Sequence, residues 1–215
     1  MAARRIVIWR HGRTAWNAEL RFQGQTDIEL DDVGQAQASS AAAALAGLGP
    51  SHIIASDLVR ARATAQALAN LVDLDVHCDA GLRETFAGAW EGLTRGELIA
   101  QYGTELAQWS AGADVRPGGG ETRVEVAERM VRAIQRGLEQ TSPGQTLVVA
   151  THGGAARAAI GALIGLPPEH WAALGVLSNC AWSVLDENTT GFGPNWRLQE
   201  YNAGSLPVAA LADDR

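Results

Sequence analysis

Apolar positions cluster in three unbroken runs, Arg5 to Trp9, His52 to Ala55 and Thr146 to Ala150, each short and rich in β-branched residues. Such continuous runs suit strands that are buried on both faces. Between them the apolar positions fall at helical spacing. Asp32 followed by Gln35 makes a capping-box pattern, and the Ala-rich stretch from Gln35 to Leu48 extends it until Gly49-Pro50 stops it. Leu58, Ala61, Ala65, Leu68 and Val72 predict a second helix after Ser56-Asp57. Thr94 with Glu97 and Thr122 with Glu125 mark two further helix starts. The latter opens a long amphipathic helix with Val124, Ala127, Val131, Ile134 and Leu138 on one face. Another helix is expected after Gly153-Gly154, and Cys180 to Leu185 and Trp196 to Tyr201 read as late strands. Alternating strands and helices predict an α/β fold, a three-layer α/β/α sandwich around a mostly parallel central sheet. The glycine-rich stretch from Glu84 to Gly120 reads as a small insertion after Glu84, near the edge of that sheet. The whole chain, 1–215, fits a single domain.

Composition narrows the function classes. With 47% hydrophobic and 19% charged residues the chain is an ordinary globular one. No secretion-type segment precedes the first apolar run, and the stretch from Ala155 to Leu166 is too short, and interrupted by Arg157, to span a bilayer. A cytoplasmic protein without a membrane partner is expected. The net charge of -7 argues against nucleic acid as a partner. Cys78 and Cys180 lie far apart with no metal-type pattern near them, so both are expected to be small buried hydrophobes, and neither a metal nor a cofactor is expected. All 17 basic residues are arginine. The absence of lysine excludes a Walker-type phosphate loop and any Schiff-base mechanism, so an anion site must be made of Arg, His, backbone N–H and neutral polar groups.

Candidate chemistry sits where two strands end. The first apolar run closes on "RHGRTAWN" and the third on "THGG", so His11 and His152 stand in the same relation to two strands of one parallel sheet. Either histidine alone is ordinarily a structural residue. Strands of a parallel sheet, however, end at one edge, where open α/β sheets bind ligands, so the two rings are expected to face each other across one crevice. The second apolar run ends at that edge as well, with Arg60 about one helical turn beyond it. Arg10, Arg60, His11 and His152 converging would demand an anion, and phosphate suits because guanidinium forks bond its oxygens in pairs.

These blocks, "RHGRTAWN" and "THGG" with "RFQGQTDIELDDVGQAQA", "ASDLVRARATAQAL" and "LRETFAGAWEGLT" in order between them, resemble the histidine phosphatase superfamily, in its phosphoglycerate mutase-like branch. The resemblance implies a metal-independent phosphomonoesterase with His11 as nucleophile and a phosphohistidine intermediate. It implies Arg10, Arg60 and His152 as clamps on the phosphoryl oxygens, Glu84 as proton donor, and Asn17, Gln23, Gly24 and Gly153 as substrate contacts. The stretch "TFAGAWEGLT" resembles phosphatases rather than mutases of this family, since the mutase type carries a Tyr-Gly-containing, Lys-bearing stretch there. Later blocks, Gly119 to Ala127, Asn179 to Trp182 and Trp196 to Leu198, resemble family members acting on sugar phosphates of the (glucosyl-)3-phosphoglycerate type. A cofactor-dependent mutase and a non-catalytic phospho-ligand-binding module are the alternatives. Trp16, Trp90 and Trp109 are candidates for the wall of a sugar site or for packing. The apolar stretch Leu163 to Trp171, or the late strands, would serve a homodimer.

Overall fold

The computed structural model describes residues 2–204, so the two ends of the expected 1–215 domain lie outside the described residues. Six strands form one sheet, labelled in chain order β1 (Arg5–Arg10), β2 (Pro50–Ala55), β3 (Val76–Cys78), β4 (Thr146–Thr151), β5 (Trp182–Glu187) and β6 (Trp196–Ala203). Their spatial order is β3-β2-β4-β1-β5-β6. The first four run parallel, whereas β5 and β6 are antiparallel additions beside β1. The sheet is therefore mostly parallel, as the pattern predicts.

Strand alternation divides the core in two. Ile6, Ile8, Ile54, Leu147 and Val149 face one side, and Val7, Trp9, Ile53, Val148 and Ala150 the other. The helices are α1 (Ala15–Ala18), α2 (Asp32–Ala46), α3 (Val59–Val72), α4 (Arg95–Ser110), α5 (Arg123–Glu139) and α6 (Gly153–Leu163). α5 and α6 cover the first face, α2 and α3 the second. Both faces are sealed, which is why these strands read as unbroken apolar runs.

Several boundaries differ from expectation for identifiable reasons. Asp31, not Asp32, caps α2: its carboxylate accepts from Gly34 N–H at 2.7 Å while also holding Arg13 at 2.8 Å. α3 begins at Val59, whose N–H is taken by the carboxylate of the sequence-distant Asp27 at 2.8 Å. On α5 the buried stripe is Val126, Ala127, Met130, Ala133, Ile134, Gly137 and Leu138, with Val124 and Val131 only half-buried at its margin. Gly137 rests against Ile54 and Leu147, where a Cβ would approach the Ile54 Cδ1 to 2.9 Å. The late strand starts at Trp182 because Cys180 adopts φ +58° in the turn before it. Cys180 is buried, and burial pushes its thiol up to about 12. Cys78, by contrast, is exposed: it ends the edge strand β3, with no neighbouring strand to cover it.

The insertion leaves from edge strand β3 and carries α4, then returns to α5. It has its own small core, in which Phe22, Trp90 and Trp109 meet edge to face at centroid distances of 5.7 to 5.9 Å. Trp90 and Trp109 therefore pack rather than wall a ligand site, while Trp16 is half-buried against Gly92. Main-chain bonds between Phe22 and the segment Gly92–Leu93 fasten the insertion to the loop that follows β1. Trp171 belongs to the main core, so the stretch Leu163 to Trp171 is not a free apolar face. Among the described residues, no helix is long and apolar enough to cross a membrane.

Candidate active site

The ends of β1, β2 and β4 bring the site together. Arg10 pairs with Thr151 in register, and the ladder continues one step beyond the strands. His11 N–H bonds the Thr151 carbonyl and Ser56 N–H the Ala150 carbonyl, both at 2.9 Å. That register sets the His11 and His152 rings face to edge, with centroids 5.1 Å apart and planes at 62°. Both rings are buried, as are the Arg10 and Arg60 side chains. The expected convergence of two histidines and two arginines is present.

The ring of His11 has a defined role for each nitrogen. His11 Nδ1 lies 2.7 Å from the Gly12 carbonyl, which can only accept, so the proton is on Nδ1 and the Nε2 lone pair is left outward. Burial, then the Arg60 and Arg10 charges, hold His11 well below the usual imidazole range, against a smaller opposing pull from that carbonyl. His152 is held well below it too, first by burial and then by Arg60, His11, Arg129 and Arg10. Its Nε2 lies 2.9 Å from Ser56 Oγ. Two neutral imidazoles beside two guanidiniums leave net positive charge without competing imidazolium.

The two side-chain amides are pinned by their oxygens. Asn17 Oδ1 accepts from Thr14 N–H at 3.1 Å and from Asn179 Nδ2 at 3.2 Å, and Asn179 also reaches the His11 carbonyl at 3.1 Å. Gln23 Oε1 accepts from the Thr14 hydroxyl at 3.0 Å. Their NH₂ ends are buried without a partner among the described residues, as are Arg10 Nε and His152 Nδ1. A buried unpaired donor costs about 1–3 kcal/mol, so three of them, the two amide NH₂ groups and Arg10 Nε, together with the free ring nitrogen of His152, mark a pocket shaped for an acceptor of several hydrogen bonds. A tetrahedral oxyanion meets that description.

Gly24 and Gly153 serve differently from each other. Gly24, at φ +51°, gives its carbonyl to Arg60 Nη2 at 2.8 Å, so it aims the guanidinium. Gly153 begins α6 against Arg10, with room for no side chain: a Cβ would sit 2.7 Å from Val176 Cγ1 and 3.2 Å from Arg10 Cζ. The α6 N–H groups beyond it, of Gly154 and Ala155, are occupied by the Glu84 carboxylate at 3.0 and 2.8 Å. The insertion's first residue thus reaches the same crevice as the two histidines.

Backbone crosses backbone directly beneath His11. A Cβ on Gly34 would lie 2.0 Å from the Arg13 carbonyl oxygen, and one on Gly12 would lie 2.4 Å from the Gly34 oxygen. Gly34→Ala is therefore expected to destabilise the protein by about 1–3 kcal/mol and to impair turnover through the displaced His11 loop. Urea unfolding midpoints and initial rates check this together.

Nothing in the sequence pattern marks Ser56, Thr14, Asn179 or Arg129 as neighbours of the two histidines or of Glu84. Arg13 and Arg21 are tied to Asp31 and Glu19, away from the cluster. A separate cavity of about 790 Å³, lined by Arg4, Ile134, Leu138, Glu187 and Trp196 among others, involves the starting end of β1 rather than the end that leads to His11. Its lining contains none of the clustered histidines or arginines. Among the described residues, no group of three or more His, Cys, Asp or Glu side chains is placed to hold a metal ion.

A parallel-sheet edge carrying two neutral histidines, two buried arginines and a carboxylate on a helix start has the charge and the donors to receive a phosphoryl group, and the chain belongs to the histidine phosphatase superfamily, branch 1, whose family model matches residues 6–203. It is a phosphatase of that family. Glucosyl-3-phosphoglycerate phosphatase from Mycolicibacterium vanbaalenii is 40% identical over 219 residues, covering 95% of this chain and 97% of the relative. A probable phosphoglycerate mutase from Escherichia fergusonii is 37% identical over 183 residues, covering 84% of each chain. Among solved structures, a mycobacterial glucosyl-3-phosphoglycerate phosphatase in complex with VO3 superimposes with a TM-score of 0.85 at 40% identity, covering 94% of this chain and 100% of that one.

Proposed function

We propose that this phosphatase hydrolyses a phosphomonoester of the glucosyl-3-phosphoglycerate type through a phosphohistidine on His11. The observation that carries the reading is the ring of His11: neutral, its Nδ1 committed to the Gly12 carbonyl and its Nε2 lone pair free, inside an arginine-lined crevice. His11 Nε2 attacks phosphorus and the ester P–O bond breaks. The departing alkoxide takes a proton from Glu84, a contribution worth roughly 10²- to 10⁴-fold. Arg10, Arg60, His152, Asn17 and Gln23 hold the three equatorial oxygens, where charge is greatest during transfer. Glu84, now a carboxylate, takes a proton from water as the water oxygen attacks phosphorus. The P–N bond breaks, and phosphate and neutral His11 are regenerated.

Relatives covering nearly the whole chain support the substrate class, because two of them bear the name glucosyl-3-phosphoglycerate phosphatase. Metal independence is part of the proposal, since the arginine and histidine cluster supplies the charge that a cation would bring. A cytoplasmic enzyme of one domain, with no nucleic-acid or membrane partner, completes the reading. Homodimer formation would use the β5–β6 side, where β6 ends the sheet.

The test is phosphate release from glucosyl-3-phosphoglycerate, mannosyl-3-phosphoglycerate, 3-phosphoglycerate, fructose bisphosphates and α-ribazole phosphate, each with and without chelator. The expected result is highest kcat/KM on the glucosylated ester, unchanged by chelator. Conversion of 3-phosphoglycerate to 2-phosphoglycerate in place of hydrolysis would transfer the assignment to a mutase. Loss of activity on chelation would overturn the charge argument.

A further inference from the structure

Glu84 opens the insertion, on a segment that belongs to neither a strand nor a helix, yet its carboxylate must be held as closely as the ring of His11. The main chain that carries it is gripped chiefly by one guanidinium. Arg129, on α5, commits all five of its N–H donors. Nε and Nη2 bond the two oxygens of Glu121 at 2.8 Å each. Nη1 reaches the carbonyls of Gly81 and Arg83 at 3.0 and 2.6 Å, and Nη2 that of Glu84 itself at 2.7 Å. Glu121 in turn accepts from Phe86 N–H at 2.8 Å. Gln25 adds a bond from its Nε2 to the Glu84 carbonyl at 3.0 Å.

The Arg129–Glu121 pair therefore grips the main chain on both sides of residue 84. The far end of the Glu84 side chain is set by Gly154 and Ala155 N–H together with Thr85 N–H at 2.8 Å, and a Cβ on Gly154 would lie 2.9 Å from Glu84 Oε1. Both members of the pair are largely buried, with side chains 17% and 24% exposed, so this is not a loose surface bridge. We infer that Arg129 and Glu121 are positioning residues for Glu84, fixing where the insertion presents its carboxylate to the substrate's leaving oxygen. This rests on the proton-donor role proposed above for Glu84. Only a planar fork of five donors reaches three carbonyls and a carboxylate together; an ammonium presents three donors from one point.

A displaced proton donor has a signature that general loosening lacks. Protonation matters for an alkoxide and hardly at all for a stabilised phenolate, and kcat/KM reports the step that breaks the ester bond. The experiment compares Arg129→Lys, Glu121→Gln and Glu84→Gln on 3-phosphoglycerate, or the preferred ester, and on p-nitrophenyl phosphate, with inhibition by inorganic phosphate measured in parallel. For Arg129→Lys and Glu121→Gln the expected loss is about 10²-fold on the alkyl ester and less than about 10-fold on the aryl ester, with phosphate inhibition changed by less than about 3-fold. Glu84→Gln should show the same selectivity more strongly. Equal losses on both esters, or none, in the two clamp variants while Glu84→Gln remains selective would overturn the inference and leave the proton donor standing. A Glu84→Gln enzyme with full activity on the alkyl ester would bring down both. Should Arg129→Lys not fold, Glu121→Gln carries the comparison, because it keeps an acceptor for Phe86 N–H.

Discussion

His11→Ala is expected to lose essentially all turnover, a fall in kcat of roughly 10⁴-fold or more, and to trap no acid-labile phosphate during reaction with substrate. The size follows from what the ring does. In the proposed reaction its Nε2 forms the new bond to phosphorus, and no neighbour can replace it: the Nε2 of His152 is engaged with Ser56, and its Nδ1 lies on a ring turned 62° from that of His11. The fold should tolerate the change, since a pocket already rich in unpartnered donors loses one ring without gaining an unpaired charge. Rapid-quench labelling followed by alkaline and acid work-up measures the covalent species directly. An alanine variant that still hydrolyses the ester at a substantial fraction of the normal rate would remove the proposed nucleophile.

Acid should unfold this protein unusually early, and the sign can be worked out from the two histidines. Both are held well below the ordinary imidazole value when folded, by burial first and neighbouring arginines second. In the unfolded chain each takes up a proton near pH 6.5, while the folded form resists. Below that pH the unfolded state binds more protons, so stability is full above pH 6.5 and falls as pH drops toward the folded-state values. The slope approaches ~1.4 kcal/mol per pH unit for each histidine. His52, which burial and the stacked ring of His77 also lower, adds in the same direction. Carboxylates with lowered values, such as Glu121 held by Arg129, act only at more acidic pH. Urea midpoints between pH 7 and 5.5 should therefore decline steeply, with a shallower decline in His152→Gln. Flat midpoints across that range would contradict two buried neutral rings.

The sheet was legible because both its faces are covered, which makes its strands read as continuous apolar runs, and the repeated strand-His-Gly pattern already set two histidines at one sheet edge. What escaped was whatever depends on contacts between distant segments. β3 has only three residues and a polar alternation, so no run announces it. Asp31 and Asp32 are adjacent acids with equal capping chemistry, and the choice between them is made by Arg13 and Gly34. Ser56 is one serine among several until the β2–β4 register sets it against His152. Arg129 and Glu121 straddle a helix start with no periodic relation to Glu84, and only the folded path of the chain joins them. The two insertion tryptophans carried an ambiguity that composition cannot resolve, and packing with Phe22 decided it.

The Glu84 arrangement bears on how such an enzyme diversifies. The His–Arg cluster hangs from the sheet itself, whereas residue 84 opens an excursion that leaves and rejoins the scaffold at β3 and α5. The phosphoryl pocket and the proposed proton donor thereby stand on different parts of the chain. Sequence change between positions 85 and 120 is expected to spare the phosphorus-handling end only where it keeps Glu91, whose carboxylate takes Gln25 N–H at 3.0 Å and the Thr26 hydroxyl at 2.8 Å beside the carbonyls that aim Arg60.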